Sequence, residues 1–437
     1  MSLPDGGGNT QRIPSLPLEI VEEIATHASG QDTLKAASTV SRAWLSAFRP
    51  KLFAHIVLGK RFMAATSSPS FVDDKLVSSF ITSIKVQGIL TALVDEKLLA
   101  VLNMLPNLES LELSGVGLGW ERATPQSTKL LVQVLKKESL QILSVEFSAD
   151  HCSGFPLALI PFCRRVQTLS LEDTRLLLPL FVENRKLFSS LTRNLESPTL
   201  SEPSSVALQT LKLSGTGLIS RFAHFHSQHQ GWLSPNSLER LELNYIDSRT
   251  DTPSRAMGEL LRAFGGSVKM LSITVCQPED SQYDRSLDAV DFLNLMQVHT
   301  LELTLTTVFG EAGNGFLAFA RSWACPILRR LSMKETITKV LITCQVSDNL
   351  HVATSCFKRS LAPLWHELDW VLGDSFPSLT ECSIVFKICR EGSFLLTRAR
   401  GQENHVVVDE ESLENQFPRI RMRGIVFCAA SMPWDCS

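Results

Sequence analysis

No Asn-x-Ser/Thr sequon and no Cys-x-x-Cys pair occurs in this chain, although it carries ten cysteines. Small secreted frameworks repeat cysteines in even sets at close spacing, and structural zinc sites pair them two residues apart. Cysteines scattered from Cys152 to Cys436 do neither, so they are expected to be reduced thiols, which places the chain in the cytoplasm, the nucleus or both. The amino end, MSLPDGGGNTQRIP, lacks both the segments of a secretory leader and the amphipathic character of a transit peptide, and the closing WDCS is no prenylation signal. No apolar run approaches the ~20 residues that a bilayer requires. Net charge is only −3 and no Lys/Arg block stands out, so a broad basic field for nucleic acid or a lipid surface is excluded. The partners expected are proteins, with no nucleic acid and no membrane.

The motifs of bond chemistry are missing as well. There is no Gly-x-Ser-x-Gly, no His-Glu-x-x-His and no Gly-x-x-x-x-Gly-Lys-[Ser/Thr]. SGVGLG at 114–119 follows a strand-like run but places Trp120 where a dinucleotide fingerprint needs its third glycine. Its recurrence as SGTGL at 214–218 marks the turn out of a repeated strand, where glycine supplies the backbone angle. His224, His226 and His229 in HFHSQH have a spacing that could ligate zinc, but no cysteine pair or carboxylate cluster accompanies them, and a polar loop of solvated histidines is expected. Adjacent carboxylates such as Glu279-Asp280 and Glu410-Glu411 sit in loop-like text, where solvated charge is the ordinary reading. The expectation is a chain that is not an enzyme and that holds neither metal nor cofactor.

What is present is a folding composition: 437 residues, 44% hydrophobic and 20% charged. After a Gly-rich tail over 1–12, expected to be disordered, residues 13–58 predict three short helices. The first opens at Leu16-Pro17, where proline's fixed φ suits the first turn, and Glu19, Glu22 and Glu23 set negative charge near its positive end. Ile20, Ile24 and Ala28 form an apolar stripe at four-residue spacing. Ser29-Gly30 is a stop, Asp32 an expected N-cap for a second helix bearing Leu34, Ala37 and Val40, and a third helix carries Trp44, Leu45 and Phe48 to an expected end at Arg49-Pro50. Three helices in about 40 residues bury little surface alone, so their apolar side chains pack on the next domain or wait for another protein.

In order and spacing, Leu16-Pro17, Glu19-Ile20, Ile24, Asp32-Thr33-Leu34, Val40, Arg42 and Trp44 resemble the F-box. The following LFAHIVLGKRF resembles the continuation seen in fungal, basidiomycete-type members, where a strand and a helix lead into repeats. Ser41, where many members have cysteine, and the small Ala36-Ala37 are mild departures. The resemblance implies a docking module for the Skp-family adaptor of cullin-RING ubiquitin ligases. Leu16, Pro17, Ile20, Ile24, Leu34, Val40 and Trp44 would then divide between holding the helices together and contacting the adaptor. A purely internal role for these side chains is the alternative, and for Trp44 core and interface both stand.

The remainder is repetitive. The pattern apolar-x-x-apolar-x-apolar recurs ten times from ITSIKV (81–86) to LTECSI (379–384), and its central residue steps by thirty from Leu211 to Leu241, Leu271, Leu301 and Leu331. Helix-like segments such as DEKLLAVLNML and SRAMGELLRAF lie between. One strand and one helix per unit resembles the leucine-rich-repeat plan, near the long end of its ~20–29-residue period. The fold expected is α/β: a three-helix N-terminal F-box, then a leucine-rich-repeat-like solenoid over 59–437 with a parallel concave sheet and convex helices. Insertions are expected near 172–206, 334–378 and 391–418.

Side chains alternate along a strand, so Lys85, Glu112, Ser144, Ser170, Lys212, Glu242, Ser272, Glu302 and Ser332 are expected on the concave face, followed two residues on by Glu146, Glu172, Ser214, Asn244, Thr274 and Thr304. That small, polar, weakly acidic surface, and in particular Glu112, Lys212, Glu242 and Glu302, is the candidate contact for a target protein with a modestly basic patch. The function expected is the substrate-recognition subunit of an SCF-type (Skp-cullin-F-box) ubiquitin ligase. The alternative is an F-box and repeat scaffold that binds the adaptor or other partners without promoting ubiquitination.

Overall fold

The computed structural model describes residues 16–28, 30–59, 75–87, 95–116, 124–147, 157–173, 205–228, 232–247, 251–277, 295–307, 324–331, 334–347, 354–389 and 415–434. Three helices come first: α1 (Leu18–His27), α2 (Gln31–Ser38) and α3 (Arg42–Ala54). Strand β1 (His55–Leu58) follows α3 with no residue between them. It opens an all-parallel sheet whose twelve described strands lie side by side in chain order: β2 (Ser83–Gln87), β3 (Ser110–Val116), β4 (Ile142–Phe147), β5 (Thr168–Asp173), β6 (Thr210–Ser214), β7 (Arg240–Asp247), β8 (Met270–Gln277), β9 (Thr300–Thr307), β10 (Lys339–Ser347), β11 (Glu381–Cys389) and β12 (Val426–Trp434). The sheet is open, with β1 and β12 at its two ends, an α/β arrangement compatible with a solenoid.

Its register follows from the repeated apolar pattern. Ile84, Leu111, Leu143, Leu169, Leu211, Leu241, Leu271 and Leu301 stand opposite one another strand by strand, and all are buried. Residues two further on form a second buried row, among them Val86, Leu113, Val145, Leu171 and Leu213. A one-residue slip would expose both rows at once, which fixes the pairing.

The entry to each strand is tied in one way. The N–H groups of Glu109 and Ser110 both donate to the carbonyl of Thr82, those of Gln141 and Ile142 to Glu109, and those of Gln167 and Thr168 to Gln141. The relay continues through the carbonyls of Gln167, Gln209, Glu239, Lys269 and His299 to that of Thr338, which accepts from Thr380 and Glu381, with donor–acceptor distances of 2.7–3.1 Å throughout. It begins in the helical unit, since Thr82 donates its N–H to Ala54 at 3.0 Å.

Helices pack on the other side of the buried rows. The helix α5 (Glu96–Met104) is capped by Asp95, whose side chain accepts from the N–H of Leu98 at 2.7 Å, and it buries Leu98, Leu99, Val101 and Leu102. Helix α6 (Pro125–Leu135) starts with a capping box between Thr124 and Ser127 and with proline at its first position, where the missing N–H costs nothing. The remaining labelled helices are α4 (Lys75–Phe80), α7 (Thr216–Gln228), α8 (Asp251–Phe264), α9 (Thr354–Ser375) and the short α10 (Pro418–Met422).

The last units are clasped together. Asp369, buried in α9, accepts from the backbone N–H groups of Arg419 (3.1 and 3.2 Å) and Ile420 (3.1 Å) at the start of α10. Gly373 allows the close approach, because a Cβ there would fall 2.8 Å from the Cβ of Arg419. Arg419 also pairs with Asp374, and Arg423 donates to the carbonyls of Gly373 (2.5 Å) and Pro377 (2.8 Å), at the carbonyl-rich end of α9.

Several expectations are corrected. LRRLSM is not a strand: residues 324–330 are helical, with Ala324, Cys325, Leu328 and Leu331 buried at helical spacing. The strand lies instead at Lys339–Ser347, where Val340, Ile342 and Cys344 are buried at alternate positions, so Val340 and not Leu331 stands opposite Leu301. Residues 334–378 therefore supply a strand and a 22-residue helix and not an excursion. β1 lies within 13–58, so the sheet starts before residue 59. Helix α3 runs through Pro50 to Ala54, because a single lost N–H bond is outweighed by the packing of the buried Phe48 and by the use of Ala54 in the sheet. Asp32 sits inside the first turn of α2, whose N-cap is Gly30 with φ 92°, a backbone angle suited to glycine. The expected tail over 1–12 and most of the insertions near 172–206 and 391–418 lie outside the described residues.

Replacing Asp369 by alanine leaves buried N–H groups of α10 without an acceptor and is expected to cost about 1–3 kcal/mol. Urea unfolding reads the loss, and hydrogen exchange should show β11 and β12 opening first. Uniform exchange in every strand would contradict the clasp.

Candidate interaction surfaces

The helical unit has a core of its own, and a small one. Val21 and Ala25 of α1 pack on Phe48 of α3, with Ala28, Leu34, Ala37, Trp44 and Ala47 around them. Trp44 stacks on Phe48 with ring centroids 5.5 Å apart and planes at 13°. Ser41 caps α3 by accepting from the N–H of Trp44 at 3.4 Å. The Lys51 ammonium donates to the carbonyl of Thr26 and, at 3.5 Å, to that of Ala28, placing a cation at the negative end of α1.

This packing divides the predicted residues. Leu34 and Trp44 are half-buried and pack on the internal core, with part of the Trp44 surface still open. Leu16, Ile20 and Ile24 are not in that core, at 49%, 49% and 38% exposure, and Val40, in the turn before α3, is 64% exposed. Pro17 is exposed as the residue preceding α1. Ile20 and Ile24, four residues apart, share one side of α1, which Leu16 precedes by two residues, while Val21 and Ala25 lie on the inward side. Of the stripe expected to bury α1, Ile20 and Ile24 thus face solvent and only Ala28, at its end, packs on the core. Leu18, 47% exposed and overlooked in the sequence, adds to the apolar surface. The signal was there: α1 carries apolar residues for two faces, and the unit offers a partner for one.

The polar face of the sheet is the second surface. Lys85, Glu112, Ser144, Ser170, Lys212, Glu242, Ser272 and Glu302 stand in one register row, as alternation predicts. Leu341, not Ser332, continues it beyond Glu302. Its charges are less available than the sequence suggests. Glu112 pairs with Lys85 and accepts from the Ser114 hydroxyl at 3.1 Å, and Glu242 pairs with Arg240 at 2.5 Å. A base on the neighbouring strand and one two residues earlier on the same strand thus neutralise two of the three acidic side chains singled out.

His224 and His226 lie on α7 and not in a loop; His229 is outside the described residues. Apolar Phe222 and Phe225, both buried, give HFHSQH its helical periodicity. His226 is tilted against Phe264 of α8, with centroids 4.7 Å apart, and lies edge-on to Trp232 at 6.1 Å. Among the described residues, no group of three His, Cys, Asp or Glu side chains is arranged to hold a metal. The thiols of Cys163, Cys344 and Cys382 are buried, and burial pushes each up to about 12, so they stay protonated and unreactive at neutral pH. No described helix is long and apolar enough to cross a membrane. No family model and no curated protein matches the chain.

Burial holds the His226 imidazole below its ordinary value of 6.5. As pH falls through that value, the unfolded chain takes up a proton that the folded one resists, so stability is lost on acidification. The urea midpoint is expected to drop between about pH 7.5 and about pH 5.5, and His226→Phe should flatten part of that slope. An identical slope in the variant would remove His226 as the cause.

Proposed function

We propose that this chain is the substrate-recognition subunit of an SCF-type ubiquitin ligase, acting in the cytoplasm or nucleus. In this reading α1–α3 are an F-box that docks on the Skp-family adaptor, and the sheet with its helices is a leucine-rich-repeat-like solenoid that holds a target protein. The observation that carries the proposal is the exposure of Ile20 and Ile24 on α1 and of Val40 in the turn before α3, on a unit whose own core is as small as Val21, Ala25 and Phe48. Exposed aliphatic side chains clustered on one small unit mark a surface that a partner covers. The resemblance of LPLEI…I…DTL…VSRAW to the F-box says which partner that is.

The contribution of such a chain is proximity. It performs no bond chemistry, and by holding a target near the charged conjugating enzyme it raises the effective concentration of the target's lysines. The direct passage from α3 into β1 and the bond from Thr82 to Ala54 favour this role, since they join the two surfaces without a flexible spacer.

Ile20→Glu/Ile24→Glu changes only exposed side chains, so unfolding is expected to shift by no more than about 0.5 kcal/mol per site. Adaptor affinity, measured by calorimetry with a recombinant Skp-family protein, is expected to fall about 100-fold or more, as for central apolar anchors of an interface. A wild-type chain that does not bind the adaptor, or a double variant that binds it equally well, would defeat the reading.

A further inference from the structure

The three helices of the first unit are held in two unequal ways. Helix α3 belongs with the sheet: it runs into β1 without a break, the carbonyl of its last residue accepts from the N–H of Thr82 at 3.0 Å, and it packs on α4. Its N-cap, Ser41, accepts from a backbone N–H of its first turn. Helices α1 and α2 have neither support. Their N-caps, Pro17 and Gly30, make no side-chain bond, and at ten and eight residues both helices are shorter than the ~12–15 residues at which an isolated helix becomes even marginal in water. No residue of α2 is buried, and α1 buries only Val21 and Ala25. By comparison α5, nine residues long, buries four. What fastens the pair to α3 is correspondingly little: Val21 and Ala25 lie on Phe48, the half-buried Leu34 and Ala37 pack around them, and Lys51 donates to the carbonyls of Thr26 and Ala28 at the end of α1. Segments with few buried apolar contacts open far more readily than the whole molecule unfolds, and they open as contiguous units.

We infer that α1 and α2 form a strap that opens from α3 as one piece while α3 stays with the sheet, and that the docking partner holds the strap shut. The two helices move together because they share one small core on Phe48. Lys51 is the latch, since from α3 it grips the chain where α1 ends and the passage to α2 begins. The opening rests on this packing alone; the closing rests on the reading of Ile20, Ile24 and Val40 as the adaptor surface. Ile20 and Ile24 lie on α1 and Val40 follows the end of α2, so a partner that covers all three touches the strap at both of its helices. Docking and closing are then coupled: the partner binds in proportion to the fraction of chains whose strap is shut, and its binding raises that fraction. An unoccupied chain is one whose strap is free to open.

Hydrogen exchange followed by mass spectrometry on the full-length protein tests both halves. In the free chain the amides of α1 and α2 are expected to share one opening constant, about 100-fold or more larger than that of β2–β5 and of residues 48–54 in α3. Lys51→Met, which keeps an apolar stem and removes the donor, should enlarge it about ten-fold and leave β2–β5 unchanged. A saturating recombinant Skp-family adaptor is expected to slow exchange in α1 and α2 about ten-fold or more, again with β2–β5 unchanged. Helices α1 and α2 as protected as α3 in the free chain, residues 48–54 opening together with them, the two helices opening separately, or a Lys51→Met chain that exchanges like the wild type would each overturn the strap. A bound adaptor that leaves their exchange as it was would overturn the closing. The free-chain measurement needs no adaptor, so the readings separate. A chain that shows the strap and binds no adaptor sinks the receptor assignment, and closure by that partner with it, while the opening stands; an adaptor that binds a chain whose three helices open together sinks only the strap.

Discussion

The arrangement depends on a row of shared carbonyls. At each strand entrance one backbone oxygen, from Ala54 through Thr82 and Glu109 to Thr338, receives the first donors of the next unit. A carbonyl has two lone pairs, and giving both to successive N–H groups fixes where the next strand starts as well as its direction. Side-chain identity at these positions hardly matters, which is why glutamine, glutamate, lysine, histidine and threonine all serve. Apolar side chains one position past each donor pair then fall into line without a separate device for register, and the two buried rows follow.

That constraint explains where the sequence was legible and where it was not. Between Leu211 and Leu301 the thirty-residue spacing, the leucines and the flanking helices agree, and strands, register and outward residues can all be read. The failure at LRRLSM has a physical cause. Leucine and isoleucine at intervals of three suit a buried helical face as well as a strand, and only KVLITCQVS, which alternates in type from Ile342 onward, resolves the ambiguity, nine residues later than the period suggests. Pro50 misled for the opposite reason, as local propensity pointed to a break while tertiary packing kept the helix intact. The role of Asp369 could not be seen at all, because its partners lie fifty residues away and are backbone groups.

The two candidate surfaces were legible to different degrees. Leu16, Ile20, Ile24 and Val40 could be picked out by type and spacing, but which side of α1 turns inward is decided by Phe48, a long-range partner. On the sheet, alternation identified the outward residues, yet charge alone did not distinguish Glu112 and Glu242, matched by neighbouring bases, from Glu146 and Glu172, set against each other. For Glu112, Glu146 and Glu172 strand adjacency makes that difference, and adjacency is what a repeat of irregular length conceals.

Helix α3 hands the chain to β1 with no hinge, and the carbonyl of its last residue, Ala54, is itself the first rung of the sheet. The molecule is therefore a stiff arm and not a tethered pair. Whatever grips the helices sets the bearing of every strand beyond them, and any cargo held on the sheet would be carried at a fixed radius and azimuth. Which of its groups come within reach of a third protein is then a matter of geometry, decided by how many units separate the handle from the cargo.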